Sequence, residues 1–310
     1  MTCTVDSTQH DSLEALHKHL RKIKVKQEVY YTDHAPRRDL CTDEPIPFKA
    51  PAERYLTLDF AHKRNLHAYV KEQPAAAREW AKKWLVARKA SKNLVYAPLA
   101  VELRTLMCPT VQELDDLGGY NTICREVGLQ IRFEGSVPPP RQLDCPIVID
   151  TREQDPLHLT GLVLRNKINC GDYALPPHRD QGVYIERKSL PDFIGSLSDR
   201  ETRIGDSNLE RFTRELERAK ELGAYLILLV EADINQAMSF NHLPHIHAKV
   251  RAEHIFRNLR ELFRLFPDFQ ALFVAGRREA TAAVPALLAM GEAIKTFDLQ
   301  LAYERGQLPL

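Results

Sequence analysis

Acidic and basic side chains converge in the stretch VYIERKSLPDFIGSL, residues 183–197. If its first half is a β-strand, Glu186 and Lys188 project from one face and Arg187 from the other, because side chains alternate along a strand. Asp172 begins a second predicted strand, and the polar loop PPHRDQG predicts a hairpin that brings Asp172 next to Glu186. Two carboxylates beside a lysine suit Mg²⁺, which proteins usually hold through one or two carboxylates and a substrate phosphate. The lysine adds a point charge that can orient water or offset phosphate charge.

Ser189 marks the predicted end of this strand and the start of a helix. Ser189 and Asp192 have the spacing of a capping box ahead of the apolar Phe193 and Ile194, and Pro191 is tolerated in the first turn. Asp192 therefore has a structural interpretation as a helix cap beside any chemical one.

The composition is that of an ordinary globular protein, with 44% hydrophobic and 27% charged residues, and 310 residues predict one or two domains. Because 43 Lys and Arg nearly balance 42 Asp and Glu, any nucleic-acid surface must be local. Six cysteines without a CxxC pair predict reduced thiols. The sequence has no apolar leader and no run of about 18 apolar residues, so we expect no secretion and no membrane span. That leaves a cytoplasmic location, or a nuclear one in a eukaryote.

Residues 1–134 are predicted to form a mainly helical, partly basic N-terminal region. It begins with a helix from Asp11, followed by an irregular proline-rich segment at 31–52, and residues 60–92 are helical and rich in basic side chains. Trp80 and Trp84 share one face of the second helix there. Two interpretations stay open. Either the tryptophans are core anchors under solvated lysines, or this face binds DNA through Lys82, Lys83, Arg88 and Lys89 with help from the aromatic rings.

Further along, Thr110 and Glu113 form a predicted capping box, Gly118 and Gly119 break the helix, and a second helix runs into a strand. Helix, glycine turn and helix are compatible with a helix-turn-helix, but many small helical domains share that pattern. The three prolines of GSVPPPRQ, residues 135–142, predict an extended spacer between two domains.

After the spacer, residues 143–296 have an α/β pattern and residues 297–310 are a C-terminal tail. Four short predicted strands, PIVIDTRE, GLVLRNKIN, GDYAL and VYIERK, form an antiparallel meander. A helix capped by Ser207 and Glu210 follows, with its apolar residues from Leu209 to Leu222 inward, and then come two buried strands that alternate with helices. The prediction is a mixed sheet with helices on both faces.

In this order, the motifs VIDTRE at 148–153, GDY at 171–173 and ERKSLPDFIGSL at 186–197 closely resemble the nuclease domain of the XPF family of structure-selective endonucleases. The resemblance covers about residues 145–295 and implies a restriction-endonuclease-like, three-layer α/β/α fold of the PD-(D/E)xK superfamily. It would stand beside a separate, mainly helical N-terminal domain. The family's GD…ERKxxxD signature is complete, in Gly171, Asp172, Glu186, Arg187, Lys188 and Asp192.

The resemblance implies a Mg²⁺- or Mn²⁺-dependent enzyme that cuts one DNA strand near a branch or flap, in repair or recombination. By resemblance, Asp150, Asp172 and Glu186 look like the metal ligands, and Lys188 looks like the residue that positions the attacking water. Arg187 and Asp192 match further positions of the catalytic signature, and Arg152 and Glu153 match the first motif, with Arg152 a candidate DNA contact. The family also implies a homodimer or heterodimer formed through the nuclease domain.

Several alternatives remain. Asp172 could simply start a turn, Arg187 could pair with Asp192, and Asp150 could form a salt bridge with Arg152. The chain shows no tandem helix-hairpin-helix segment and no helicase motif, so contacts to a junction would come from the N-terminal region, a dimer mate or another protein. The protein could then be a catalytically silent DNA-binding scaffold subunit, or a restriction-type or end-processing nuclease of the same superfamily.

Overall fold

The computed structural model describes residues 74–106, 109–180, 182–199, 207–243, 250–308 and 310. It divides the chain into two units, Met1–Ile131 and Arg132–Leu310. The helix predicted from Asp11, the segment at 31–52 and the basic residues predicted between 60 and 73 lie outside the described residues. In the part that is described, no helix is long and apolar enough to cross a membrane.

The described part of the first unit, from residue 74 onward, is helical, as predicted. Its helices are α1 (Pro74–Lys92), α2 (Ala100–Thr105), α3 (Val111–Asp116) and α4 (Tyr120–Glu126). The predicted capping box at the start of α3 is confirmed, since the Thr110 side chain accepts from the Glu113 N–H and the Glu113 carboxylate accepts from the Thr110 N–H. The strand predicted after α4 is reduced to a single bridge between Tyr96 and Gln130.

The tryptophans of α1 belong to the core of this unit. Trp80 is 5% exposed and Trp84 is 7% exposed, and their ring centroids lie 6.5 Å apart. The core-anchor interpretation is therefore confirmed, and the predicted help of these rings in holding DNA is wrong, because both are buried. Residues four apart on a helix share a face, and here that face is the buried one.

The second unit is built on a six-stranded mixed sheet in the order β2-β1-β3-β4-β5-β6. The β3–β4 hairpin is antiparallel, as predicted, and β4, β5 and β6 run parallel. The strands are β1 (Ile147–Asp150), β2 (Val163–Asn166), β3 (Tyr173–Ala174), β4 (Val183–Lys188), β5 (Tyr225–Val230) and β6 (Phe269–Phe273).

The first half of the sheet differs from the predicted antiparallel meander. β1 lies between β2 and β3, and β2 runs parallel to β1 at the edge of the sheet. The two strands differ in burial, which explains the order: all four residues of β1 are buried, whereas all four of β2 are exposed. A fully buried strand needs neighbours on both sides, and the apolar letters of GLVLRN gave no sign that this strand forms an edge.

Helices cover both faces of the sheet, which confirms the predicted three-layer fold. On one face, α9 and α10 pack against inward strand residues such as Ile185, Ile227 and Leu272. On the other face, Phe193 of α5 and Phe256 of α8 surround the ring of Phe273. The helices are α5 (Leu190–Ser196), α6 (Asn208–Glu221), α7 (Ile234–Met238), α8 (Ala252–Leu265), α9 (Arg277–Met290) and α10 (Leu299–Glu304).

Two segments at the ends of this unit pack against its core, although they were predicted as a spacer and a tail. The segment predicted as a spacer follows the boundary between the units at Ile131, and Val137 and Leu143, within and just after it, pack against the sheet core. The predicted tail contains α10, whose Leu299 is buried and whose Gln300 accepts a hydrogen bond from the Phe273 N–H at 2.8 Å. The tail prediction is wrong because these residues complete the core beside β6.

We expect Leu299→Ala to lower the free energy of unfolding by about 2–5 kcal/mol, because it leaves a cavity under β6. Urea denaturation measures this loss, and Leu310→Ala, at an exposed leucine, is the matched control with a change within about 0.5 kcal/mol. Equal effects of the two substitutions would contradict a core role for α10.

Candidate active site

Glu186 and Lys188 meet on one face of β4. The Lys188 ammonium donates to Glu186 Oε1 at 2.6 Å, and its nitrogen lies 5.5 Å from the ring centroid of Phe212 in α6. Burial by itself lowers the pKa of Lys188, but the charge and hydrogen bond of Glu186 outweigh burial and raise it. The predicted pair is therefore formed, and the lysine holds its proton firmly.

The β3–β4 hairpin brings Asp172 to the same place. The Asp172 N–H donates to the Ile185 carbonyl at 2.8 Å, and the Arg187 N–H donates to Asp172 Oδ2 at 2.8 Å. Burial, followed by the negative charge of Glu186, raises the pKa of Asp172 to about 8, although the Arg187 N–H acts in the opposite direction. The Glu186 carboxylate is thus held close enough to oppose the ionisation of Asp172.

Gly171 permits this approach. It has φ of +67°, and a Cβ at this position would lie 2.8 Å from the Ile185 carbonyl oxygen. Glycine adopts this backbone conformation without a steric penalty, and it has no side chain that would push the two strands apart. The glycine before Asp172 is therefore a requirement of the local geometry.

Asp150 is placed differently from the other two predicted ligands. Its Oδ1 accepts from the Arg152 N–H and Nε, and its Oδ2 accepts from Arg152 Nη2 and the Ile168 N–H, at 2.7 to 2.9 Å. Burial would raise the pKa of Asp150, but these hydrogen bonds outweigh burial and hold it at about 2. The salt-bridge alternative for Asp150 and Arg152 is thus confirmed. Within the described ranges, no group of three or more Asp, Glu, His or Cys residues is arranged to hold a metal ion.

Glu215 of α6 joins Asp172 and Glu186, and the sequence analysis missed it. Burial and then the charge of Glu186 raise the pKa of Glu215 to about 7, while a hydrogen bond from the Gly171 N–H opposes the shift. Its position between the inward Phe212, Leu216 and Ala219 was a usable signal, because a helical wheel puts it at the edge of the buried face. Leu222, predicted to point inward, is instead exposed where α6 ends.

A cavity of about 390 Å³ opens beside this group. Glu186 and Glu215 contribute its acidic lining. Its basic lining outnumbers them and consists of Arg152, Lys188, Arg211, Arg214 and Arg218. The cavity could therefore bind an anionic ligand through basic side chains that lie next to the carboxylates.

Residues 149–287 match the family model of the ERCC4 domain. The chain contains an XPF-family nuclease domain. The match runs from β1 to α9, so it includes the carboxylates, the lysine and the cavity. Nucleases of this family act on DNA and take part in DNA repair. No curated protein and no solved structure matches the chain.

In this XPF-family domain, the arginine of the ERK motif lies on the reverse face of β4. Arg187 donates to Glu231 at 3.0 Å, to Glu153 at 3.1 Å and to the Asp155 carbonyl at 3.0 Å. Its side chain is 7% exposed. The alternative in which Arg187 pairs with Asp192 is wrong, because β4 turns the arginine toward the loop after β1 and the end of β5.

Asp192, the last residue of the signature, lies in the first turn of α5, whose N-cap is Ser189. Ser189 Oγ donates to Asp192 Oδ2 at 2.5 Å and accepts from the Asp192 N–H at 3.3 Å. The predicted cap at Ser189 is therefore confirmed, but the Asp192 carboxylate bonds the Ser189 hydroxyl and not the Ser189 N–H that a capping box requires. Asp192 is exposed, and the residue it bonds is Ser189.

The four DNA-binding candidates on α1 do not share one role. Arg88 is 3% exposed and pairs with Glu102 at 3.7 Å, so its prediction as a DNA contact is wrong: a buried guanidinium cannot reach a phosphate. Lys89 donates to the carbonyls of Val127 and Gly128, and Lys82 pairs with glutamates 79 and 126. Lys83 is exposed.

We expect Gly171→Ala to destabilise the domain more than Gly223→Ala. Both glycines have φ near +65°, where alanine costs about 1–2 kcal/mol. Only at Gly171 would the new Cβ also collide with a backbone carbonyl. Urea denaturation of the two variants separates the collision from the shared backbone strain, and equal losses would show that the hairpin tolerates a side chain here.

The raised pKa values also predict a pH dependence of stability without divalent ions. A carboxyl whose folded pKa lies above its unfolded value stabilises the fold at low pH, and this contribution is lost as pH rises through the folded pKa. The free energy of unfolding should therefore fall between about pH 4 and about pH 8, as Asp172 and Glu215 ionise.

Urea denaturation at pH 5 and pH 8.5 in a chelator measures this fall. Asp172→Asn should flatten it, and Glu253→Gln, at an exposed carboxyl of α8, should leave it unchanged. A wild-type protein that is more stable at pH 8.5 than at pH 5 would contradict the repulsion between the carboxylates.

Proposed function

We propose that this chain is a metal-dependent DNA endonuclease that hydrolyses phosphodiester bonds near branches or flaps, in repair or recombination. The observation that carries the proposal is the pair of a partly buried Asp172 and a buried Glu186, placed side by side with Lys188 on one face of a hairpin. The family of the domain supports nuclease chemistry on DNA. The dimer implied by the resemblance, homomeric or heteromeric through the nuclease domain, belongs to the same proposal.

The donor set fits a hard divalent cation, Mg²⁺ or Mn²⁺. Asp172 and Glu186 supply carboxylate oxygens, and a cation would offset both the burial and the Glu186 charge that raise the pKa of Asp172. Asp150 offers no uncommitted oxygen, since each already accepts two hydrogen bonds. Such an ion, when bound, lowers the pKa of a coordinated water and polarises the phosphoryl oxygen.

The residues of the chain divide the remaining work. Lys188 keeps its proton beside Glu186, so we assign it the role of a fixed positive charge and hydrogen-bond donor to water or phosphate, rather than that of a base. Arg187 is a positioning residue in this scheme, because its contacts with Glu153 and Glu231 hold β4 in place from the reverse face. Asp192 acts through the start of α5, directly after the ERK motif.

Cleavage of end-labelled oligonucleotides tests the proposal. The substrates are a 3′-flap, a splayed arm, a Holliday junction, a linear duplex and a single strand, each with Mg²⁺ or Mn²⁺. Wild type should nick the branched substrates. Asp172→Asn and Lys188→Ala should each reduce the rate at least about 100-fold, the size expected for loss of one electrostatic contact in a catalytic site. Glu253→Gln serves as the active control.

Two outcomes would overturn parts of the proposal. Equal digestion of intact linear duplex would favour a restriction-type or end-processing nuclease. Absence of any cleavage, together with salt-dependent binding of branched DNA, would favour a scaffold subunit that requires a catalytic partner.

A further inference from the structure

Three arginines of α6 form one wall of the cavity beside Glu186 and Lys188. Arg211, Arg214 and Arg218 all line it, and all three are exposed. We call them the α6 arginine row. The three residues were not among the DNA-binding candidates of the sequence analysis, and the ERCC4 match identifies a domain without assigning them a role.

Helix geometry explains why the three arginines act together. At about 100° per residue, positions 211, 214 and 218 fall within about 60° of the circumference of α6, and they extend about 10 Å along its axis. The buried Phe212 and Leu216 occupy the opposite side. The helix is fixed to the sheet by this buried side, since the rings of Phe212 and Phe269 contact each other. The row therefore projects from a rigid element.

Glu215 lies between the arginine row and the buried side of α6. It accepts a hydrogen bond from the Gly171 N–H, at the turn that presents Asp172. One helix thus places a carboxylate toward the acidic pair and positive charge on the adjacent strip of its surface. This order of charges suits a phosphodiester strand whose reacting phosphate lies at the carboxylates and whose neighbouring phosphates lie along the helix.

The charges of the cavity select a polyanion. Five basic and two acidic residues line it, and a concave site with net positive charge concentrates anions. Arg211 and Arg218 form no ion pair with any residue that the structure describes, so their charges are not neutralised by a neighbouring carboxylate in salt-bridge contact. The length of the row, about 10 Å, corresponds to about three phosphate steps of one strand when it is measured along the axis of a duplex.

Arg152 adds a held guanidinium to the same cavity. Its Nε and Nη2 bond Asp150, and Nη2 also bonds the Ile168 carbonyl. Its Nη1 makes no hydrogen bond within the described part of the chain, and the side chain is 58% exposed. Asp150 therefore orients an arginine that keeps a donor for an oxygen anion.

We propose that the α6 arginine row binds the backbone phosphates of the DNA strand that is cut, adjacent to the scissile phosphate. This inference rests on the proposed function and specifies how the substrate is held. Contacts to phosphates carry no sequence information, so the row contributes affinity and register without base preference.

The test measures DNA binding apart from cleavage. All proteins carry Asp172→Asn, and binding of a fluorescent 3′-flap and of a single strand is followed by anisotropy in a chelator from 50 to 300 mM salt. The double variant Arg211→Gln/Arg218→Gln is compared with Arg257→Gln/Arg264→Gln on α8. The control pair is exposed, removes the same charge and has the same spacing of seven residues.

We expect the row variant to bind the flap at least about 10-fold more weakly at 100 mM salt. The slope of log affinity against log salt should fall by about 2, which corresponds to two lost phosphate contacts. The control pair should change neither quantity appreciably. Equal losses for the two pairs would reduce the effect to overall charge and overturn the proposal, as would an unchanged slope for the row variant.

A cleavage assay with the same proteins, now without the Asp172→Asn substitution, separates this inference from the proposed function. If wild type cuts and the row variant binds and cuts normally, the row proposal fails and the nuclease stands. If wild type cuts nothing but only the row variant loses binding, the proposal of nuclease activity fails. The row then remains a DNA-binding surface, and a partner protein would cut the bound strand.

Discussion

The close approach of the backbone at Gly171 to that at Ile185 is the constraint on which the site depends. It allows the Asp172 N–H to bond the Ile185 carbonyl, and it sets Asp172 beside Glu186 on a strand that is hydrogen-bonded on both edges. Burial and then the charge of Glu186 oppose the ionisation of Asp172, and both raise its pKa. The rest of the sheet resists this repulsion, because Ile185 and its neighbours are fully enclosed in the core.

Side chains alternate between the two faces of β4, so the residues that face the cavity are separated from those that hold the strand in place. Glu186 and Lys188 face the cavity, whereas Arg187 on the reverse face joins the loop after β1 to the end of β5. Arg277, at the start of α9, extends this network by pairing with Asp155 at 2.8 Å. A buried guanidinium is tolerable only when it is well paired, so the Glu153 and Glu231 contacts are a condition of placing Arg187 there at all. Three consecutive residues thus serve two functions because a strand has two faces.

Local patterns carried most of the fold prediction. The capping boxes at Thr110 and Ser207, the cap at Ser189, the β3–β4 hairpin and the buried strand β5 all follow from a few neighbouring residues. The errors concern long-range choices. Three features depend on which surfaces meet in the folded protein: the strand order, the buried ion pair of Arg88 with Glu102, and the packing of α10 beside β6. The periodicity of apolar residues along the sequence does not encode these contacts. Glu215 was missed because its partners, Gly171 and Glu186, lie far away in the sequence.

Asp150 shows where motif and geometry diverge. The motif groups it with Asp172 and Glu186, yet its two oxygens are fully used by Arg152 and Ile168. For Asp150 to bind a cation, Arg152 would have to withdraw, and the buried Asp150 carboxylate would lose its charged partner unless another charge replaced it. A phosphate that accepts the Arg152 guanidinium supplies the replacement on one side, and a cation supplies it on the other. Under the proposed function, any entry of Asp150 into a metal site would therefore be linked to the arrival of an anionic substrate.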